Sequence, residues 1–236
     1  MTSKTAGFIQ KTFSPGVSST YELVNHILTF GFDRLWRKKA ARQAVASGGV
    51  QWADMCTGTG EMAANLSRLA SGETTVYAVD ISTHMMIEAR KKPEAQNINF
   101  VVSDVKDLNF PDESLDLITI SFATRNINLS KDVLTKTFAE FHRVLKPGGR
   151  FVNLETSQPK ISLIRNFFHF YVKLVVKPVG GLISGSQKAY AYLTHTIPRF
   201  YPPDELSAIM SNAGFEKVTW RKLLFGIAAI HQGTKA

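Results

Sequence analysis

A glycine-rich turn between an apolar strand and a helical pattern is the feature that most restricts the folds open to this chain. The apolar run 51–55 ends next to Cys56-Thr-Gly-Thr-Gly60, and helical spacing begins at Glu61. Glycines in such a turn let the backbone bend sharply and approach a ligand closely. Asp80 ends the next apolar run, where its carboxylate can accept hydrogen bonds from ribose hydroxyls. This spacing predicts a nucleotide-binding, Rossmann-like α/β fold.

The remaining pattern extends that prediction to a doubly wound, mostly parallel sheet, because strands and helices alternate along the chain. Predicted strands lie at 51–55, 74–79, 97–102, 115–122 and 150–154, with a closing pair at 218–223 and 225–230. Predicted helices lie at 61–70, 81–90, 131–145 and 203–213. We expect one domain over residues 1–236, with a helical lead-in at 1–45 and an inserted segment at 157–203 that covers a substrate.

Net charge and cysteine content restrict the cellular compartment, the metal sites and the partners open to this chain. Cys56 is the single cysteine, so an internal disulfide and a cysteine-based zinc site are excluded, and we predict no metal. The first ten residues lack the apolar run of a signal peptide, which favours a cytoplasmic protein. The formal net charge of +9 leaves nucleic acid, a membrane surface and an anionic substrate open as partners.

The glycine turn alone does not choose a cofactor, because Gly58 to Ala63 also fits the dinucleotide pattern G-x-G-x-x-A of NAD enzymes. The chain as a whole resembles the class I methyltransferases, which have a seven-stranded Rossmann-like sheet and use S-adenosyl-L-methionine. That resemblance assigns cofactor binding to the turn and to the ends of strands two, three and four, namely Asp54, Gly58, Thr59, Gly60, Asp80, Ile81, Asp104, Val105 and Ser121.

The stretch from Arg143 to Ser157, RVLKPGGRFVNLETS, narrows the resemblance to the ubiquinone/menaquinone biosynthesis C-methyltransferases. Three more segments resemble that family: SFATRN at 121–126, YAYL at 190–193 and GIAAIHQG at 226–233. Its N-terminal signature is kept at Tyr21, Asn25 and Trp36, although Glu22 and Val24 depart from it. Because the departures lie mainly in the expected substrate region, the ring system of the substrate stays open.

The resemblance implies C-methylation of a demethylated prenyl quinol, either a naphthoquinol or a benzoquinol. A ring carbon becomes nucleophilic when the neighbouring hydroxyl loses its proton, so the site must favour the phenolate. The resemblance gives this task to Arg125 and Asn126, and we prefer Arg125 as a stabilising cation, since arginine is a poor base. The alternative is a structural role, in which Arg125 holds its loop in place through an ion pair with a carboxylate. Tyr21 is a candidate donor to the quinol, and His195 a candidate general base.

Segment 161–177 carries Arg165, His169, Lys173 and Lys177 at every fourth position, which predicts one basic stripe on an otherwise apolar helix. We judge it too short and too charged to span a membrane. It is either a core-packed cover with a solvated edge or a helix that rests on an anionic membrane surface. The protein would then be cytoplasmic but peripheral to the membrane.

Several other functions stay open at this stage. No base-binding N-P-P-Y type sequence follows strand four, so we expect no nucleic-acid partner. A methyltransferase of another small phenol or lipid-like molecule is one alternative, and a non-catalytic lipid-binding subunit is another. A homodimer also remains open.

Overall fold

The computed structural model describes residues 15–46, 48–184 and 187–236. Its strands are β1 (Gln51–Met55), β2 (Thr75–Asp80), β3 (Ile98–Val102), β4 (Leu115–Ser121), β5 (Leu145–Thr156), β6 (Glu216–Leu223) and β7 (Ala228–Thr234). The α-helices are α1 (Pro15–Leu28), α2 (Phe32–Val45), α3 (Glu61–Ser67), α4 (Thr83–Ala89), α5 (Thr124–Ile127), α6 (Lys131–Val144), α7 (Ser162–Tyr171), α8 (Lys177–Ser184), α9 (Gln187–Thr196) and α10 (Pro203–Asn212).

All seven strands join one sheet in the order β3-β2-β1-β4-β5-β7-β6. Strands β1 to β5 run parallel to one another, and β7 runs antiparallel to both β5 and β6. This confirms the predicted seven-stranded, mostly parallel Rossmann-like fold. Because β4 and β2 flank β1 on opposite sides, the turn after β1 lies at the point where the strand order reverses, which is where such sheets bind ligands.

Alternate side chains of the central strands enter two different cores, as the two-residue period of a strand requires. Ile118 and Ile120 pack with α6 and α10 on one face of the sheet. Leu117 and Trp52 pack with α2 and α3 on the other face. Both faces of the central strands are therefore covered, which explains why these strands read as continuous apolar runs.

The fifth strand begins earlier than the sequence predicted. We expected the Lys146-Pro-Gly-Gly149 segment to separate a helix from a strand that starts at Arg150. In the structure α6 ends at Val144, and β5 already pairs Leu145 with Leu115. A register shift between Leu115 and Leu117 then absorbs the tight segment. Because β5 pairs with β4 on both sides of the bulge, residues 146–149 belong to the strand.

The described part of the lead-in packs against the inserted segment and not only against the sheet. Val24 of α1 shares a small buried cluster with Val172, Val176, Tyr190 and Leu193 of the insertion. Residues 1–14 of the predicted lead-in lie outside the described residues. The two segments that flank the nucleotide-binding fold in sequence thus meet in space, and a cavity lies beneath them.

The predicted basic stripe of the insertion does not form one face. Arg165 donates to the Pro159 carbonyl and His169 bonds to Gln158, so both are half-buried, whereas Lys173 is exposed. A π-helical turn, Val172–Val176, follows α7 and changes the angular spacing of side chains along the helix. Helix α7 itself has no fully buried residue, but Phe168 and Tyr171 pack against the cluster that contains Val172 and Val176, so the segment covers a small core with one side and exposes the other.

The inserted helix is longer than segment 161–177, which was expected to be too short for a membrane span. One continuous helical stretch runs from Ser162 to Ser184, and its 23 residues are long and apolar enough to cross a membrane by length and composition. Only 28% of its most apolar window is buried in the protein. Core helices and surface helices of soluble proteins pass the same test, so this property alone does not make it a span.

A substitution of Phe138 in α6 tests how much the aromatic core beneath the sheet contributes to stability. Its ring is fully buried, with its centroid 5.1 Å from that of Phe151 and 5.9 Å from that of Phe141. We expect Phe138→Ala to lower the free energy of unfolding by about 3–5 kcal/mol, because it removes apolar burial and leaves a cavity. Urea denaturation measures the loss. Phe170→Ala, on the exposed face of α7, is the matched control and should change stability by less than about 1 kcal/mol.

Candidate active site

The glycine turn is tied to the ends of β1 and β2 by its own backbone. The Thr57 amide donates to the Val79 carbonyl at 3.0 Å, and the Gly58 amide donates to Asp80 Oδ2 at 2.8 Å. Gly60 has φ +79°, and a Cβ there would lie 2.9 Å from the Cβ of Ala89. Only glycine combines that left-handed conformation with so close an approach to α4. The sequence therefore fixes both the turn and the helix that faces it.

Two buried carboxylates hold this turn in place. Asp54 accepts hydroxyl hydrogen bonds from Thr57 at 2.7 Å and from Thr119 at 2.8 Å. Burial raises the pKa of Asp54 to about 7, although both hydroxyl donors oppose the shift. Asp80 accepts from the amides of Gly58 and Ser82, and burial raises its pKa as well. A carboxylate has about four lone-pair sites, so Asp80 keeps capacity for further donors.

A small cavity of about 80 Å³, with both polar and apolar side chains on its wall, lies between the turn, α1 and the end of β4. Five of the predicted cofactor residues line it, namely Gly58, Thr59, Asp80, Ile81 and Ser121. The other four do not line this cavity. Asp54 is buried behind the turn, and Gly60 is the last residue before α3. Asp104 lies beyond β3, where it accepts a hydrogen bond from the Lys106 amide, and the neighbouring Val105 is buried. The structure thus gathers the predicted residues at one sheet edge and gives Asp54 a supporting position.

Two non-glycine residues on this wall have left-handed backbone. Cys56 has φ +51° and Phe122 has φ +55°, and they follow β1 and β4 directly. Such conformations are uncommon for these residues and concentrate at functional sites. Burial, followed by the neighbouring carboxylate of Asp80, raises the pKa of the Cys56 thiol well above its usual value. The thiol is therefore protonated, in agreement with the expectation that Cys56 acts as a small apolar residue.

A second cavity, of about 430 Å³, lies under α1, α2 and α7. Apolar and aromatic side chains form most of its wall, among them Leu28, Phe32, Phe168, Tyr171 and Leu193. Tyr21, Arg37 and Phe122 line both cavities, so the two spaces adjoin at these three residues. A methyl donor in the small cavity and an apolar acceptor in the large one would meet at this junction.

Arg125 is buried beside that junction and paired with Glu155. Its Nη1 donates to Glu155 Oε1 at 2.5 Å, and its backbone amide donates to Oε2 of the same carboxylate at 3.2 Å. Burial alone would lower the pKa of the guanidinium, but Glu155 keeps it above its usual value. Arg125 Nε is buried without a hydrogen-bond partner among the described residues, and Arg125 lines the large cavity. The pinned arginine therefore keeps one N–H for a ligand, so the two roles considered for it are compatible.

The other predicted catalytic residues separate in space. Tyr21 lines both cavities, and Asn126 lines the small one with its Oδ1 buried and unpaired among the described residues. His195 lines neither cavity: its ring is exposed, and its Nδ1 lies 3.0 Å from Arg199 Nη1. A general base at His195 therefore lacks a geometric basis, because α9 directs it to the surface.

Sequence reasoning missed three residues of this site. Glu155 stands inside the family signature, but nothing in the sequence showed that its carboxylate reaches back to Arg125. Phe122 became notable only through its backbone conformation and its place between the cavities. Arg37 stands in a run of five basic residues between positions 34 and 42 and received no role from the sequence, and the structure buries it beside Phe122. Only its place one helical turn after Asp33 could have suggested an internal ion pair.

A cluster near the turn has the composition of a metal site but already holds a cation. Glu22, His26 and Glu61 place candidate ligand atoms within 4.8 Å of one another. Lys92 Nζ bonds to Glu22 Oε1 at 2.6 Å and to Glu61 Oε1 at 2.7 Å. The ammonium group neutralises these carboxylates, and it ties α1 to the first turn of α3 above the small cavity.

Comparison with known proteins agrees with this geometry. The model of the ubiE/COQ5 methyltransferase family matches residues 1–235. The chain is 38% identical over 228 residues to a ubiquinone/menaquinone biosynthesis C-methyltransferase from Rubrivivax gelatinosus, covering 97% of this chain and 87% of that protein. It is 35% identical over 234 residues to one from Rickettsia bellii, covering 96% and 92%.

Solved structures show the same fold at low sequence identity. A chain of the complex between the Haloferax volcanii Trm112 methyltransferase activator and a methyltransferase superposes with a TM-score of 0.66 at 17% identity, covering 93% of this chain and 96% of that one. A SAM-dependent methyltransferase from Thermotoga maritima superposes with a TM-score of 0.58 at 18% identity, covering 92% and 98%. The fold, the turn and the full-length family match lead to one assignment. The chain belongs to the ubiE/COQ5 methyltransferase family, as the sequence predicted.

Proposed function

We propose that this enzyme transfers a methyl group from S-adenosyl-L-methionine to a ring carbon of a demethylated prenyl quinol, as the names of its relatives in ubiquinone and menaquinone biosynthesis indicate. The junction of the small cavity with a large apolar one, beside the buried Arg125, is the observation that supports this most. A quinol has a polar ring and an apolar tail, so it matches a cavity with a cation at its inner end and aromatic walls outside.

The residues around the small cavity fit this cofactor. Asp80 offers acceptor sites for a ribose, and the turn at Gly58 lets the backbone approach closely. Met85 and Ile81 supply an apolar surface for a flat base, and the buried Oδ1 of Asn126 lacks a protein partner among the described residues. When bound, the cofactor supplies an electrophilic methyl on a sulfonium.

The side chains of the large cavity prepare the ring carbon for attack. The guanidinium of Arg125 sits in a buried, low-dielectric position where it strongly favours an oxyanion over a neutral hydroxyl. Its spare Nε–H is the group that would donate to the quinol oxygen next to the methylated carbon. Tyr21 reaches the junction from α1 and is placed to donate to the same ring. The aromatic walls exclude water, which strengthens both interactions.

We further propose that the enzyme takes this substrate from a membrane surface. Several residues that line the large cavity are also exposed: Phe30 retains 78% of its accessible surface and Phe167 retains 67%. Phe170 and Leu174 continue this apolar surface along the inserted helix, with the exposed Lys173 and Lys177 beside them. Apolar side chains bordered by lysines are typical of helices that lie in an anionic membrane interface. A prenyl tail could then enter without crossing water.

Removing the Asp80 carboxylate should abolish cofactor binding. Hydrogen bonds to a charged group contribute about 1.5–3 kcal/mol each, so losing two to a ribose weakens binding at least about 100-fold. Isothermal titration of S-adenosylhomocysteine into Asp80→Ala measures this. Asp107→Ala is the control, because Asp107 is exposed and lies on neither cavity wall. Unchanged affinity in Asp80→Ala would contradict the assigned cofactor site, and a wild-type protein that binds no S-adenosylhomocysteine would favour a non-catalytic lipid-binding subunit.

Replacing Arg125 should slow methyl transfer and spare cofactor binding. We expect Arg125→Met to lower kcat about 100- to 1000-fold, because the phenolate loses its stabilising cation. Product mass and rate are read with reduced demethylmenaquinone and with a benzoquinol analogue, which also identifies the ring system. The double variant Arg125→Met with Glu155→Gln avoids an unpaired buried carboxylate, and Arg68→Met, a surface arginine, is the matched control. Normal turnover by folded Arg125 variants would refute the role.

Membrane docking should depend on the lysines of the inserted helix. Each lysine near an anionic surface contributes about 1 kcal/mol, so Lys173→Ser with Lys177→Ser should weaken binding to phosphatidylglycerol vesicles about 30-fold. Co-sedimentation with and without salt measures this. Lys136→Ser, on α6, is the control with an exposed lysine elsewhere. Equal binding to neutral and anionic vesicles, or binding that salt does not change, would contradict the proposal. A homodimer, which the sequence left open, is tested by sedimentation velocity of the protein without vesicles.

A further inference from the structure

The small cavity has an uneven charge distribution. Among the described residues on its wall, Glu61 and Asp80 are acidic and Arg37 is the single cation. The end of S-adenosylmethionine opposite its adenosine is charged, because its amino-acid portion carries a carboxylate. A buried carboxylate needs a charged or N–H partner inside the protein. Arg37 is the one side chain described on this wall that offers both a positive charge and N–H donors, and it lies on a helix that precedes the nucleotide-binding fold in sequence.

Arg37 is held rigidly at the junction of the two cavities. Its Nη1 donates to Asp33 Oδ2 at 2.6 Å, one helical turn earlier on α2. Its guanidinium carbon lies 5.0 Å from the centroid of the Phe122 ring. Asp33 accepts in addition from His26 at 2.7 Å and from Thr29 at 2.8 Å. With these contacts on two sides, the guanidinium is pre-organised, and little conformational freedom is lost when a ligand binds.

One donor of this arginine has no protein partner. Arg37 is 6% exposed, and its Nε is buried without a hydrogen bond among the described residues. An unpaired buried N–H of a charged group is costly, so such a donor is expected to meet a ligand or an ordered water. Arg125 also has an unpaired Nε, but Arg125 borders only the large cavity. Burial raises the pKa of Asp54, and the two hydroxyl donors and then the positive charge of Arg37 oppose that rise, so this charge acts as far as the glycine turn.

We propose that Arg37 binds the α-carboxylate of the cofactor, while Asp80 holds the adenosine end. Asp33, with His26 behind it, is the positioning residue that orients the guanidinium. Helix α2 is thereby part of the cofactor site, although it lies before the glycine turn in sequence. This inference rests on the proposed use of S-adenosylmethionine and adds the group that recognises its amino-acid portion.

Two ligands that differ only in that portion test the proposal. S-adenosylhomocysteine carries the carboxylate, and 5′-methylthioadenosine lacks the whole amino-acid group. By isothermal titration, we expect Arg37→Met to weaken S-adenosylhomocysteine about 10- to 100-fold and to leave 5′-methylthioadenosine unchanged. Arg37→Lys, which keeps the charge but loses the fixed fork, should show an intermediate loss. Lys38→Met, an exposed neighbour on the same helix, is the matched control and should bind both ligands normally.

The outcomes separate this proposal from its rivals. Equal loss for both ligands would show a structural role only, and no loss for either would remove Arg37 from the cofactor site. An increased KM for the quinol with unchanged S-adenosylhomocysteine binding would assign Arg37 to the substrate instead. Because Arg37→Met leaves the buried Asp33 without its arginine partner, the double variant Asp33→Asn with Arg37→Met is measured in parallel and should show the same selective loss. A wild-type protein that binds neither ligand would refute the proposed function itself.

Discussion

The buried ion pair between Arg125 and Glu155 is the interaction on which the reaction site depends. It joins the short helix after β4 to the end of β5, and it is reinforced by the bond from Thr124 Oγ1 to Asn153 Oδ1 at 2.8 Å. Burying two charges costs several kcal/mol per ion unless each is paired and hydrogen-bonded. Here Glu155 accepts hydrogen bonds from several protein donors, whereas the Nε–H of Arg125 has no protein acceptor among the described residues. The asymmetry leaves a positive, partly unsatisfied group at the inner end of an apolar cavity, which is the environment that stabilises an oxyanion.

The fold and the cofactor turn could be predicted from the sequence because both depend on short-range patterns. The apolar run 115–122 predicted a buried strand, and the glycines at positions 58 and 60 predicted a sharp turn between a strand and a helix. Asp80 was identified for a similar reason, since it ends a strand beside that turn. Periodicity and local sterics act over a few residues, so they can be read in a single chain without knowledge of its packing.

The parts that could not be predicted depend on contacts between distant segments. Arg37 looks like one cation in a basic run, and only the docking of α2 against the sheet buries it beside Phe122. His195 was a candidate base, but the direction in which α9 runs decides its exposure. The π-helical turn Val172–Val176 likewise changes which side of the inserted helix faces solvent. Regular spacing could not show this, because the prediction assumed 3.6 residues per turn throughout.

The proposed cofactor and the head of the proposed substrate require charged groups, whereas the substrate's tail requires an apolar surface. The structure places the charged groups at the inner end of the large cavity and the apolar surface outside them. The net charge of +9 does not all lie on the surface, since Arg37 and Arg125 are both about 6% exposed. Arg37 lies over the Phe122 ring, and Arg37, Phe122 and Arg125 all line the large cavity, where the proposed quinol ring would approach the cofactor. Outward from them the large cavity becomes aromatic, and it ends at exposed residues such as Phe30 and Phe167. A substrate whose head requires a buried cation and whose tail avoids water matches that gradient from inside to outside. A small water-soluble phenol would use the inner end and leave the apolar mouth without a function.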